Sequence, residues 1–124
     1  MTKILVVDDS EVIRVQLNTD LSGAGYDIVQ AYDGLNGLEV MAEHKDIALI
    51  ISDVNMPEMD GLTMCKKLHD NADYKHIPII MLTTQTNPEM KAISKEHGVI
   101  AWVNKPYKVK TLLGGINKIL SKTK

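Results

Sequence analysis

A doubly wound α/β domain, with a five-stranded parallel sheet and five helices, is the fold this sequence predicts. Three observations lead there. Five short apolar runs, mostly rich in Ile and Val, punctuate the chain with few polar interruptions, as strands buried on both faces do. Stretches with helical spacing of apolar residues lie between those runs. The two kinds of segment alternate, which is the pattern of right-handed βαβ units.

The runs are Lys3 to Val7, Asp27 to Ala31, Ile47 to Ile51, Ile77 to Leu82 and Ile100 to Val103. After Ser10, apolar residues recur at Ile13, Leu17 and Leu21, and Gly23 and Gly25 supply a stop. A second helix is expected from Leu35 to His44, with Leu38 and Met41 inward. A third follows Gly61 and puts Leu62, Cys65 and Leu68 on one stripe. The fourth starts at Asn87-Pro88, a cap followed by proline at the first helical position. Val109, Leu112, Leu113, Ile116 and Leu120 mark the fifth. That helix also carries Gly114-Gly115, a pair costing about 2 kcal/mol relative to alanine. Close packing, a partner surface or local looseness would each account for it.

Composition narrows the function. The 124 residues suit one domain, with 44% hydrophobic and 24% charged residues. Net charge is -2, so no basic surface argues for nucleic acid. The one cysteine, Cys65, excludes an internal disulfide and suits a reducing cytoplasm. No run approaches the roughly 20 apolar residues of a membrane helix, and MTKILVV is too short for a signal peptide. The expectation is a single cytoplasmic domain spanning residues 1–124 with nothing attached.

In doubly wound sheets ligands bind outside the carboxyl ends of the strands, where strand order reverses. The expected first strand ends on Asp8 and Asp9, the third on Asp53, the fourth on Thr83 and Thr84, and the fifth on Lys105 before Pro106. The second ends on Tyr32-Asp33-Gly34, which reads as a plain turn. Three carboxylates brought together repel, and a cation relieves them. Hard oxygen ligands without His or Cys favour Mg²⁺. A lysine and a hydroxyl beside them suit a phosphoryl group, and a carboxylate can be the nucleophile toward phosphorus.

The motifs "ILVVDDS", "ISDVNMPEMDG", "IIMLTT" and "WVNKPY" carry a resemblance to the receiver domains of two-component response regulators, over residues 3 to 121. Within that family the chain is most similar to the stand-alone, CheY-like chemotaxis regulators. The resemblance implies the flavodoxin-like strand order 2-1-3-4-5. It implies Asp53 as phosphoacceptor. It also implies Mg²⁺ (or Mn²⁺) held by Asp9, Asp53 and the backbone carbonyl of Asn55, with Asp8 acting largely through water. Lys105 would contact the phosphoryl group, Thr83 would move to hydrogen-bond it, and Trp102 would be the aromatic switch that follows. The Lys105-Pro106 bond would be cis. Thr84, Asn55 and Gln85 would neighbour the phosphoryl group.

Some positions depart from the family pattern. Tyr or Phe is commoner than Trp at the switch, and a smaller residue commonly stands where Thr84 does. The implied partners are a sensor histidine kinase (CheA-like), and further a flagellar motor switch protein and a phosphatase. A monomer is expected, with neither nucleic acid nor membrane as partner.

Other readings have less support. A flavodoxin would need a loop of N–H donors after the first strand, where DDSEV offers carboxylates. An aspartyl-phosphate phosphatase acting on outside substrates needs a general acid two residues after the nucleophile, where Asn55 stands. The chain is therefore expected to be a switch and not an enzyme. A phosphate sink or relay shares the same chemistry. His44, His69, His76 and His97 share no ligand spacing and read as surface or helix-end residues. Cys65 reads as packing. The lysines of the last third, among them Lys91, Lys95, Lys118 and Lys122, read as solvated helix faces or as a basic rim around Trp102.

Overall fold

The computed structural model describes residues 2–84 and 88–122. In chain order its elements are β1 (Lys3–Val7), α1 (Glu11–Ser22), β2 (Asp27–Ala31), α2 (Gly34–Glu43), β3 (Ile47–Ser52), α3 (Gly61–His69), β4 (Ile79–Thr83), α4 (Pro88–Lys95), β5 (Val99–Asn104) and α5 (Val109–Lys122). The strands form one sheet in the order β2-β1-β3-β4-β5, and every pairing is parallel.

The unbroken apolar runs follow from two cores. Side chains alternate across a strand, so Leu5 and Val7 enter one buried cluster while Ile4 and Val6 enter the other. The first cluster takes Met41 from α2 and Met64, Cys65 and Leu68 from α3. The second takes Leu17 and Leu21 from α1 and Leu112 and Ile116 from α5. A strand with polar residues on one face could not serve both layers.

Three helices begin on side-chain caps. Ser10 Oγ accepts from the Ile13 amide at 3.4 Å, an Asp33 carboxylate oxygen from the Asn36 amide at 2.7 Å, and Asp60 from the Thr63 amide at 2.7 Å. Each satisfies an N–H that the first turn leaves without an intrahelical partner. Asp33 is thus a buried helix cap rather than part of a plain turn. The expected Asn87 cap lies outside the described residues.

Other boundaries shift for local reasons. β4 starts at Ile79 rather than Ile77, because Pro78 has no N–H for the ladder. Its carbonyl still accepts from the Ile50 amide at 3.1 Å. β5 runs from Val99 to Asn104, one residue longer at each end than its apolar stretch. Gly23 stays right-handed at φ −61°, and Gly25 makes the left-handed exit at φ +98°. A Cβ on Gly114 or Gly115 would meet no described atom within 4 Å. Close packing is therefore not what keeps that pair small.

Candidate functional site

The chain leaves β1 for β2 on one side and returns to β3 on the other, so strand order reverses between β1 and β3. Val7 is in register with Ser52. The next residues, Asp8 and Asp53, therefore emerge side by side at that reversal. Asp8 N–H donates to the Ala31 carbonyl at 3.1 Å, and Asp53 N–H to the Val7 carbonyl at 3.0 Å, which carries the ladder up to the site.

Asp8, Asp9 and Asp53 each present a carboxylate oxygen, all within 4.8 Å of one another. Asp8 is 2% exposed, Asp53 is half-buried and Asp9 is exposed. Lys105 reaches into the group from just beyond β5. Its Nζ donates to Asp8 Oδ2 at 2.7 Å and to Asp53 Oδ2 at 3.0 Å. The second oxygens of Asp8 and Asp53 are also engaged: Asp8 Oδ1 accepts from the Ser10 amide at 2.9 Å and Asp53 Oδ1 from the Val54 amide at 2.7 Å.

Burial pushes the Asp8 carboxyl above its ordinary value. The Lys105 ammonium and the Ser10 amide pull the other way without cancelling burial, and the Asp53 charge adds to the rise. Burial alone would lower Lys105, but its hydrogen bonds to Asp8 and Asp53 outweigh that and hold the ammonium above its usual value. The set fits a small divalent cation: carboxylates crowd one place, and no His or Cys belongs to the group.

The loops are placed by backbone contacts. Lys105 N–H donates to the Thr83 carbonyl at 3.1 Å, and the Lys105-Pro106 peptide is cis, as expected. Thr83 is fully buried at the end of β4, and Thr84 beside it is exposed. Asn55 is exposed, two residues past Asp53. Gln85 lies outside the described residues. Two glycines permit the loop after β3. A Cβ on Gly61 would sit 2.0 Å from the Asp53 carbonyl oxygen, and one on Gly34 would sit 2.5 Å from that of Met59. Gly34 N–H donates to that same Met59 carbonyl at 3.0 Å, which ties the loop to α2.

Trp102 is half-buried and packs against the first core cluster. Ser94, which receives its indole N–H, was not legible as a site residue. Nor was Arg14, whose Nη1 donates to the Asp8 carbonyl at 2.6 Å. A cation in the first turns of a helix opposes the dipole and needs another reason to be there. That was the available signal for Arg14. Cys65 is buried, and burial pushes its thiol up to about 12, in keeping with packing. His69 and His97 are half-buried, with ring centroids 6.2 Å apart and edge to face.

Comparison with known proteins agrees with this geometry. The response regulator receiver domain family matches residues 4–117. Response regulator MprA of Mycobacterium ulcerans is 34% identical over 122 residues, 98% of this chain and 51% of that protein. The chain thus spans about half the length of the curated relatives it matches. The structure of chemotaxis protein CheY4 of Vibrio cholerae is 41% identical, with a TM-score of 0.89 over 95% of this chain and 98% of that one. The signal receiver domain of a signal transduction histidine kinase from Syntrophus aciditrophicus is 33% identical, with a TM-score of 0.89 over 100% and 93%. Among the described residues, no helix is long and apolar enough to cross a membrane. With that family covering nearly the whole chain and its acidic site assembled at the strand-order reversal, this chain belongs to the response regulator receiver domains.

Proposed function

We propose that the chain is a phosphorylation-driven signalling switch, with Asp53 as phosphoacceptor and a sensor histidine kinase as donor. One observation carries this reading: Lys105 Nζ is shared between Asp8 and Asp53, at 2.7 and 3.0 Å, beside a third carboxylate. An Asp53 carboxylate oxygen attacks the phosphorus of the donor phosphohistidine. The O–P bond forms as the P–N bond breaks, and the imidazole keeps the electron pair and takes a proton from solvent. Lys105 then turns its ammonium to the phosphoryl oxygens, and Thr83 supplies a hydroxyl donor. Asp9, Asp53 and the Asn55 carbonyl would hold Mg²⁺ or Mn²⁺, with Asp8 acting through water. The bound ion supplies the positive charge that offsets the acidic site and the transferring group.

The output is a change of partner affinity on the face of α4, β5 and α5, reached through Thr83 and Trp102. The chain acts on itself and turns over no outside substrate; Asn55 stands where a phosphatase of this chemistry would need an acid. The likeness to the Vibrio cholerae chemotaxis protein supports a role in chemotaxis; a cytoplasmic setting, with a CheA-like kinase, a flagellar motor switch protein and a phosphatase as partners, completes the proposal. The likeness to a receiver domain of a histidine kinase supports a second reading, a phosphate sink or relay without direct output.

Acetyl phosphate with Mg²⁺, followed by intact mass, tests the chemistry. One phosphoryl group is expected on the wild type and none on Asp53→Asn. Uptake by Asp53→Asn would overturn the assignment. A change of Trp102 emission on phosphorylation supports the switch, and phosphorylation without that change supports the sink or relay.

A further inference from the structure

Arg14 leaves the first turns of α1 and turns back over the loop that joins β1 to it. Its Nη1 lies 2.6 Å from the carbonyl oxygen of Asp8, a short charge-assisted bond. That oxygen belongs to the same rigid peptide plane as the N–H of Asp9. A donor that fixes the carbonyl therefore fixes the plane from which Asp9 departs. The rest of the loop is tied as well: Asp8 N–H bonds Ala31, Asp8 Oδ1 receives the Ser10 amide, and Ser10 caps α1. Asp9 is the exposed member of the three-carboxylate group, and none of the side-chain hydrogen bonds described above reaches it. Its orientation is left to its own backbone.

We propose that Arg14 is a positioning residue for the divalent cation, acting through the Asp8–Asp9 peptide plane. The proposal rests on the cation reading above. Its logic runs against simple electrostatics, which makes it testable by sign. A nearby guanidinium repels a divalent cation, so a residue acting only by charge would weaken binding, and its removal would tighten it. A residue that orients a ligand does the reverse, and loss of such an outer partner costs about 10-fold or more in metal affinity.

The experiment is a Mg²⁺ titration of the full chain, followed by the amide signal of Asp9 in isotope-labelled protein. Wild type, Arg14→Gln and Arg14→Lys are compared, and thermal melting checks each fold. Arg14→Gln is expected to weaken Mg²⁺ about 10-fold. Arg14→Lys, which keeps a donor and the charge, is expected to recover most of the loss. Equal or tighter binding by Arg14→Gln overturns the proposal while leaving the cation reading intact. A wild type that binds no Mg²⁺ instead defeats the cation reading and the proposal's metal role with it. The Asp8 carbonyl carbon signal in metal-free protein then still reports the contact: it is expected to move in Arg14→Gln, and an unmoved signal denies the bond itself.

Discussion

Trp102 on β5 donates its indole N–H to the hydroxyl of Ser94 on α4 at 3.2 Å, and Ser94 in turn donates to the Lys91 carbonyl at 3.0 Å. Ser94 is fully buried. The proposed switch residue is thus hydrogen-bonded to the neighbouring helix through a small buried side chain. Ser94→Ala would leave the indole N–H without that acceptor and cost about 1 kcal/mol. The expected outcome is a lower melting temperature together with red-shifted Trp emission that is more open to quenchers. Unchanged emission would mean that the bond does not hold the ring.

Asp8 offers a test by pH and by substitution. Burial raises its carboxyl above the ordinary 3.8. Just above that value the folded protein holds more protons than the unfolded chain, so stability falls as pH rises through the interval. Asp8→Asn removes this loss together with the repulsion from Asp53. It is expected to melt about 4 °C higher at neutral pH without metal, for a gain of about 1 kcal/mol. The wild type is expected to melt higher with Mg²⁺, and that rise should shrink in the variant. A lower metal-free melting temperature would show that the Lys105 contact outweighs burial.

Tyr107 follows the cis Lys105-Pro106 peptide, and its hydroxyl donates to Asp20 at 2.6 Å. Burial, and then the Asp20 carboxylate, raise the phenol above its usual 10.0. The folded state therefore keeps that proton longer than the unfolded chain, and the contribution is lost as pH rises beyond 10. Tyr107→Phe should cost about 1 kcal/mol at neutral pH, and the gap to wild type should narrow in alkali. Denaturant unfolding at pH 7 and at pH 11 measures both. A gap that widens in alkali would contradict the assigned direction.

Two glycines should respond in opposite ways. Gly115→Ala meets open space and gains helix propensity, so it is expected to stabilise by about 1 kcal/mol. Gly61→Ala would place a carbon 2.0 Å from the Asp53 carbonyl oxygen, and the backbone must move. Loss of phosphoryl acceptance with a lowered melting temperature is the expected result at position 61. A stable, fully active Gly61→Ala protein would show that the loop after β3 is not held as described.

Much of this architecture could be read from the residues because the governing rules are local. Strand runs such as Ile47 to Ile51 are apolar on both faces, and the residues just past β1, β3 and β5 are charged by type. Asp8, Asp53 and Lys105 meet because strand ends meet. What could not be read depended on pairs that nothing in the sequence links. Arg14 finds a backbone oxygen, Ser94 finds an indole, and Tyr107 finds Asp20 across 87 positions of chain. Asp33 reads as a turn because Asp-Gly serves turns and helix starts alike, and only its bond to the Asn36 amide decides. Gly34 and Gly61 are small because other backbones approach them, a reason that appears only in three dimensions.

The place of Lys105 has a consequence for how the molecule comes into being. Asp8 and Asp53 lie 97 and 52 positions before the ammonium that balances them. A chain made from its amino end therefore exposes all three carboxylates well before that ammonium leaves the ribosome. Any pairing of β1 with β3 before that point brings like charges together without Lys105, and that approach is opposed. On the proposed cation reading, Mg²⁺ would be the counterweight for the nascent chain as well as for the phosphorylated site.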